Sequence, residues 1–318
     1  MSNLAFIFPG QGAQFIGMGQ ALAETYASAR AVFEAVDDAL GEKLTDIMWT
    51  GGREEALTLT SNTQPALMAV SVAAMAALEE AHGITVETAK YVAGHSLGEY
   101  SALCAAGAMS VGDTAKLLRI RGEAMQAAVA PGVGAMAALL GADDAQAAAA
   151  CEAGIAANGG TCQVANDNAP GQLVLSGSTG AIDAACAFAR ENGVKKAVML
   201  SVSAPFHCAL MAPAAEKMAA ALAEADIQAP RVPLVANVTA IAGSDPEAIR
   251  AQLIEQVTGR VRWRESVAWM VASGIERTGE AGAGKVLTVM NRRNDRSLKG
   301  MTLGTPEDID AFAENLNA

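Results

Sequence analysis

The sequence predicts an α/β protein with a large parallel-sheet domain and a small domain inserted into it. Three observations predict this. Short apolar runs at Leu4 to Phe8 and Lys90 to Ala93 lead into glycine-rich turns and then into helical segments. The second run ends in Gly94-His95-Ser96-Leu97-Gly98, a G-x-S-x-G pattern set between strand and helix. A later stretch, residues 131–202, reads β-α-β-β-α-β, a self-contained order of about 70 residues.

In chain order, Leu4 to Phe8 is a strand running into the turn Pro9-Gly10-Gln11-Gly12. Helical periodicity covers Gly17 to Leu40, and Asn62 to His82 reads as a second helix stopped by Gly83. After the strand at Lys90 to Ala93, small and apolar residues from Glu99 to Ala106 suit a helix, and Val111 to Val129 is another that carries Arg119 and Arg121. The texture changes at Pro131. A strand near Ala135 to Leu140 precedes a helix from Asp143 to Ala157, whose acids sit at its favourable N-terminal end. Strands near Cys162 to Ala165 and Gln172 to Ser176 flank a turn-rich Asn166 to Gly171. A helix from Thr179 to Asn192 and a strand near Lys196 to Leu200 complete a ferredoxin-like order. The loop Ser203 to His207 and a helix at Cys208 to Ala225 return the chain to the large domain. Helices at Pro246 to Val257 and Trp263 to Ser273, a strand at Ile275 to Thr278 and a glycine turn at Gly279 to Gly284 follow. The expected division is 1–130 with 203–318 as a large α/β-hydrolase-like domain, and 131–202 as the small one.

With 318 residues the chain can bury a full core. It is 52% hydrophobic but only 4% aromatic, which is a globular composition with neither disordered nor fibrous character. The first ten residues lack a basic n-region, and the longest apolar run, Ala66 to Leu78, is too short to span a bilayer. A soluble protein without a membrane partner is expected. Five scattered cysteines with no C-x-x-C spacing suggest buried thiols in a reducing cytoplasm, and no metal site is expected. The net charge of −12 argues against nucleic acid as a partner. Residues 260–299 differ, with nine basic side chains against four acids. A basic segment on an acidic protein could steer an anionic partner.

The G-x-S-x-G turn has a mechanical meaning. Glycines flank the serine because the turn leaves no room for Cβ atoms, so the hydroxyl stands out with unpaired N–H groups of the helix start behind it. A serine is a weak nucleophile and needs a base. Of three histidines, His82 sits at a helix end and His95 neighbours the serine, so its side chain points to the opposite face. His207 remains, 111 residues downstream in a proline-marked loop. Cys208 beside it could serve as a thiol nucleophile, but no strand-to-helix elbow surrounds it.

Six segments, Phe8-Pro9-Gly10-Gln11-Gly12, Gln64-Pro65-Ala66-Leu67, Gly94-His95-Ser96-Leu97-Gly98-Glu99, Arg119-Ile120-Arg121-Gly122, Pro205-Phe206-His207 and Val261-Arg262-Trp263, together resemble the malonyl-CoA:acyl-carrier-protein transacylase family over essentially the whole chain. The resemblance implies Ser96 as the nucleophile that accepts malonyl from coenzyme A, and His207 as its base. It implies an oxyanion hole from the backbone N–H groups of Gln11 and Leu97, and Arg121 as a two-donor fork on the malonyl carboxylate. It implies further that the backbone carbonyl of Gln256 orients the histidine, that Asn166 lines the site, and that Phe206 favours malonyl over methylmalonyl. No bound cofactor is implied: the coenzyme A thioester is substrate, and the phosphopantetheine arm belongs to the acyl carrier protein partner. A monomer is expected. A trans-acting polyketide acyltransferase and a serine esterase or thioesterase are the alternatives. Arg121 speaks against the latter, since a hydrolase of neutral esters needs no buried guanidinium, and no aspartate is well placed as a third triad member. The chain departs from the family pattern in having no proline in Gly282-Ala283-Gly284.

Overall fold

Leu4–Phe8 is apolar and buried at all five positions, as a strand covered on both faces must be. It is the first of ten strands among the residues described by the computed structural model, 2–317. They are β1 (Leu4–Phe8), β2 (Tyr91–Gly94), β3 (Gly134–Leu140), β4 (Cys162–Ala169), β5 (Gln172–Ser178), β6 (Lys196–Met199), β7 (Leu234–Val235), β8 (Ala242–Gly243), β9 (Arg277–Glu280) and β10 (Lys299–Thr302). Six form one sheet in the order β10-β9-β1-β2-β7-β8. The strands from β10 to β7 are parallel, and β8 pairs antiparallel at the edge. The other four form a separate antiparallel sheet, β4-β5-β3-β6. The fold is therefore mixed α/β, with a parallel-sheet core and a second sheet apart from it.

Register sets the position of the site. Phe8 of β1 lies beside Gly94 of β2, so the loop after one strand and the turn after the other emerge side by side at the carboxyl edge. The neighbours of β1 on its two sides are β2 and β9, and the carboxyl edge of such an open sheet is where crevices form. Behind the sheet, the helix Thr60–His82 is buried on almost every side, the expected state for a helix with no polar stripe. The helix Val111–Ala127 lies against it. Gly122 permits the approach, because a Cβ there would stand 2.6 Å from the carbonyl oxygen of Thr60. That close crossing carries Arg121 to Gln64.

The antiparallel sheet is covered by helices Asp144–Asn158 and Thr179–Glu191 and has a core of its own around Leu139, Leu173, Leu175 and Ile182. Strand β4 ties it to the large body. Asp167 N donates to Val261 O at 2.9 Å, and Val261 N donates to Ala165 O at 2.8 Å. The fully buried Asp167 carboxylate accepts from Arg264 Nε at 2.8 Å and lies 2.9 Å from Arg260 Nη2. Charge-assisted bonds of this kind across a boundary fix orientation as well as distance.

Several elements differ from the sequence expectation. The segment Gly17 to Leu40 is two helices, Gln20–Thr25 and Ala27–Leu40, broken where Tyr26 turns extended. The second has no capping side chain of its own; the Glu80 carboxylate accepts from Ser28 N at 2.7 Å instead, favourable at a helix N-terminus. Asn166 to Gly171 is not a turn. Strand β4 runs to Ala169 and leaves two residues to the hairpin, because Asn166, Asp167 and Asn168 meet partners from the large body. The helix expected from Cys208 begins at Ala212 after a short 3-10 turn. Helices Leu44–Trp49 and Glu54–Thr58 are too short for periodicity to register. The late strand runs to Glu280, and beyond it helix Val286–Asn294, β10 and helix Pro306–Asn317 complete the body. All five cysteines are free and buried. Among the described residues no helix is long and apolar enough to cross a membrane.

Candidate active site

Ser96 has φ 53, a left-handed conformation unusual for a residue with a side chain. Its turn is tight on both sides. A Cβ on Gly94 would fall 1.9 Å from Gly98 O, and one on Gly98 would fall 2.2 Å from Phe8 O. Asn237 holds the turn from below: its Oδ1 accepts from Ser96 N at 2.8 Å and its Nδ2 donates to Gly94 O at 2.7 Å. Helix Gly98–Ala105 then starts directly under the serine. Strain held by surrounding contacts in this way belongs with functional turns.

His207 also has a positive φ, 58. Its Nε2 lies 2.7 Å from Ser96 Oγ and its Nδ1 lies 2.8 Å from Gln256 O. A carbonyl can only accept, so Nδ1 carries the proton and Nε2 faces the hydroxyl as a free acceptor. Burial, and then the charge of Arg121, push the His207 pKa down to about 3, so the imidazole is neutral near pH 7. A neutral imidazole at hydrogen-bond distance can take the serine proton.

Arg121 is 1% exposed. Nη1 donates to Gln64 Oε1 at 2.8 Å, and Nη2 donates to Gln256 Oε1 at 2.8 Å and to Ser96 Oγ at 3.1 Å. Its carbon centre lies 5.6 Å from the Tyr100 ring centroid. These partners are neutral, and Nε is buried without one. The Glu99 carboxyl acts on Arg121 only through space, without a hydrogen bond, and a buried cation hydrogen-bonded only to dipoles favours an anion beside it. Burial alone lowers the Arg121 pKa, but a guanidinium keeps its charge.

Glu99, fully buried, accepts at Oε2 from Gln256 Nε2 at 2.7 Å and from Asn237 N at 3.2 Å. Desolvation raises its pKa to about 7 against the opposing pull of those bonds. His95 Nε2 meets Asn168 Oδ1 at 2.8 Å, and burial lowers its pKa.

These groups surround a cavity of about 210 Å³. The structure brings Ser96, His207, Arg121 and Gln256 into one hydrogen-bonded set. Gln11, Leu97, Asn166 and Phe206 line the cavity wall, as do Val286 and Met290. Cys208 is turned away, its thiol donating to Pro205 O at 3.2 Å and its pKa raised by burial. His82 pairs with Asp310 at 2.9 Å. Sequence reasoning missed the parts played by Gln64, Glu99 and Asn237. The first two sit in segments that carried the resemblance, where adjacency to Arg121 could have been sought. Asn237 lies in Val235-Ala236-Asn237-Val238, which carries no signal at all. Among the described residues no group of three or more His, Cys, Asp or Glu could hold a metal ion.

The acyl transferase domain family matches residues 5–285. A malonyl CoA-acyl carrier protein transacylase of Bacillus subtilis (strain 168) is 44% identical over 316 residues, covering 99% of this chain and 98% of that protein. The crystal structure of an acyl-carrier-protein-S-malonyltransferase from Bartonella henselae superposes with a TM-score of 0.96 at 55% identity, over 100% of both chains. A malonyl-transacylase solved in complex with a type II PKS acyl-carrier protein gives 0.94 at 37% identity, over 99% of this chain and 100% of that one. Family match, full-length relatives and superposed structures agree: the chain belongs to the acyl transferase domain family.

Proposed function

We propose that the protein moves a malonyl group from malonyl-CoA to the phosphopantetheine thiol of an acyl carrier protein, through a malonyl ester on Ser96. The observation that carries this reading is the joint geometry of Arg121 and Ser96. A buried guanidinium whose hydrogen-bond partners are all neutral stands 3.1 Å from the nucleophilic oxygen, where the free carboxylate of a short diacid would sit if its other end were at the serine.

In the first half-reaction Ser96 Oγ attacks the thioester carbonyl while its proton passes to His207 Nε2. The C–S bond then breaks, and the departing coenzyme A thiolate takes that proton. In the second half the carrier thiol gives its proton to His207 and attacks the ester carbonyl. The C–O bond breaks and Ser96 is reprotonated. The backbone N–H groups of Gln11 and Leu97 face the reacting carbonyl as an oxyanion hole, worth on the order of a hundredfold in rate. Gln256 O orients His207, a role that an aspartate fills in hydrolase triads. Arg121 replaces water around the malonyl carboxylate, and Asn166 and Phe206 shape the acyl pocket. No resident cofactor or metal takes part.

The carrier is that of fatty acid synthesis. A polyketide carrier is a second acceptor of the same chemistry, favoured by the likeness to the transacylase bound to a type II PKS acyl-carrier protein. We place the protein in the cytoplasm, a reading its free, buried thiols support, and read it as a monomer. We read 131–202 as a separate domain inserted between 1–130 and 203–318, and as ferredoxin-like, from its strand order β4-β5-β3-β6. The test is stepwise transfer. Acyl-enzyme made with malonyl-CoA and freed of coenzyme A should hand its malonyl group to holo-carrier on mixing. A requirement for coenzyme A in that second step would overturn the ping-pong reading.

A further inference from the structure

Glu99 is an expensive residue for a merely structural role. Its carboxyl is fully buried, Oε1 has no hydrogen-bond partner, and the nearby cation, Arg121, makes no hydrogen bond to it. A buried carboxylate so weakly compensated costs stability. Besides accepting from Asn237 N at 3.2 Å, it contacts the side-chain amide of Gln256. That amide donates from Nε2 to Glu99 Oε2 at 2.7 Å and to Ser96 O at 2.9 Å, and accepts at Oε1 from Arg121 Nη2 at 2.8 Å.

An amide can turn over and exchange its oxygen and nitrogen. Turned over here, its oxygen would meet two acceptors, and its NH2 would meet the guanidinium donor. Once ionised, above its raised pKa of about 7, Glu99 has acceptors only and opposes that exchange. It also joins two elements, since Glu99 lies in helix Gly98–Ala105 under the nucleophile and Gln256 in helix Pro246–Thr258, whose Gln256 carbonyl holds His207.

We infer that Glu99 is a positioning residue for acyl selectivity: it fixes the Gln256 amide, and through it the Arg121 guanidinium, in the orientation that receives the acyl carboxylate. The inference rests on the reading of Arg121 given above. It assigns Glu99 no contact with substrate.

The test compares the ratio of kcat/KM for malonyl-CoA and acetyl-CoA self-acylation in folded protein. Glu99→Met should lower that ratio roughly tenfold, the size of one lost charge-assisted hydrogen bond. Glu99→Gln, which can still present an oxygen to Gln256, should restore most of it. Gln256→Met removes the same link one residue further on, keeps the carbonyl that faces His207, and should match Glu99→Met. In an Arg121→Ala background Glu99→Met should leave the ratio where Arg121→Ala put it. A Glu99→Met enzyme slowed equally towards both donors overturns the inference. If Glu99→Met does not fold, an unchanged ratio in Gln256→Met does so instead. Arg121→Ala separates the two layers: an unchanged ratio there defeats the reading of Arg121 itself, whereas a ratio that falls in Arg121→Ala but not in the other variants defeats only the role of Glu99.

Discussion

At His207 the protein holds a base that does not protonate near neutrality. Removal from water disfavours the imidazolium, and the Arg121 charge disfavours it further, bringing the pKa to about 3 against the opposing pull of the Gln256 carbonyl. In a titration of nitrogen-15-labelled histidines by NMR, His207 should keep its neutral signature down to pH 5. A midpoint near 6.5 would contradict the account. The sign for stability follows from proton linkage. The folded pKa lies below the unfolded value of 6.5, so below that pH the unfolded chain binds the extra proton. His207 therefore subtracts stability as pH falls from 6.5 towards 3. Glu99 acts in the other direction: its pKa is raised from 4.5 to about 7, so it subtracts stability as pH rises through that window.

At the scale of elements, two features position the chemistry. The first is the elbow. Gly98→Ala would drive a Cβ to 2.2 Å from Phe8 O, and strain of that kind costs about 1–3 kcal/mol or more. Urea denaturation should show that loss, and acylation should fall further than stability alone explains. Wild-type acylation in Gly98→Ala would remove the tight turn from the mechanism. The second is the joint between β4 and the start of helix Trp263–Ala272. Asp167→Ala removes the buried partner of Arg264 and Arg260, which are partly exposed and keep Asp144, a change worth about 1–3 kcal/mol, the size of the lost charge-assisted hydrogen bonds. A loss under 1 kcal/mol in urea denaturation would show that the pair does not hold the two sheets together.

These two features differ in how far the sequence revealed them. The elbow is local: glycine, serine and glycine within five residues state both the turn and its chemistry. Strand β4 is not. Asn166, Asp167 and Asn168 have turn composition, and what makes them strand is Val261, Arg264 and His95, about 100 residues later or 70 earlier. Asn237 was illegible for the same reason. Its amide is informative only beside Ser96, 141 positions away.

Across the whole molecule, the basic stretch 260–299 is less free than its composition suggests. Arg260 and Arg264 are spent on Asp144 and Asp167, and Arg262 on Glu265. Lys285, Arg292 and Arg293 remain exposed on or next to helix Val286–Asn294, whose Val286 and Met290 line the cavity. An acidic carrier would meet that face, so transfer to the carrier should weaken with added salt more steeply than self-acylation by malonyl-CoA. Parallel salt curves would remove the face from the account.

The central claim is a malonyl ester on Ser96, and intact-protein mass spectrometry after brief exposure to malonyl-CoA tests it most directly. The wild-type chain should gain the mass of one malonyl group, mapped by peptide digestion to the segment containing Ser96, and Ser96→Ala should gain none. A malonyl adduct that persists in Ser96→Ala, or maps to another residue, would contradict it.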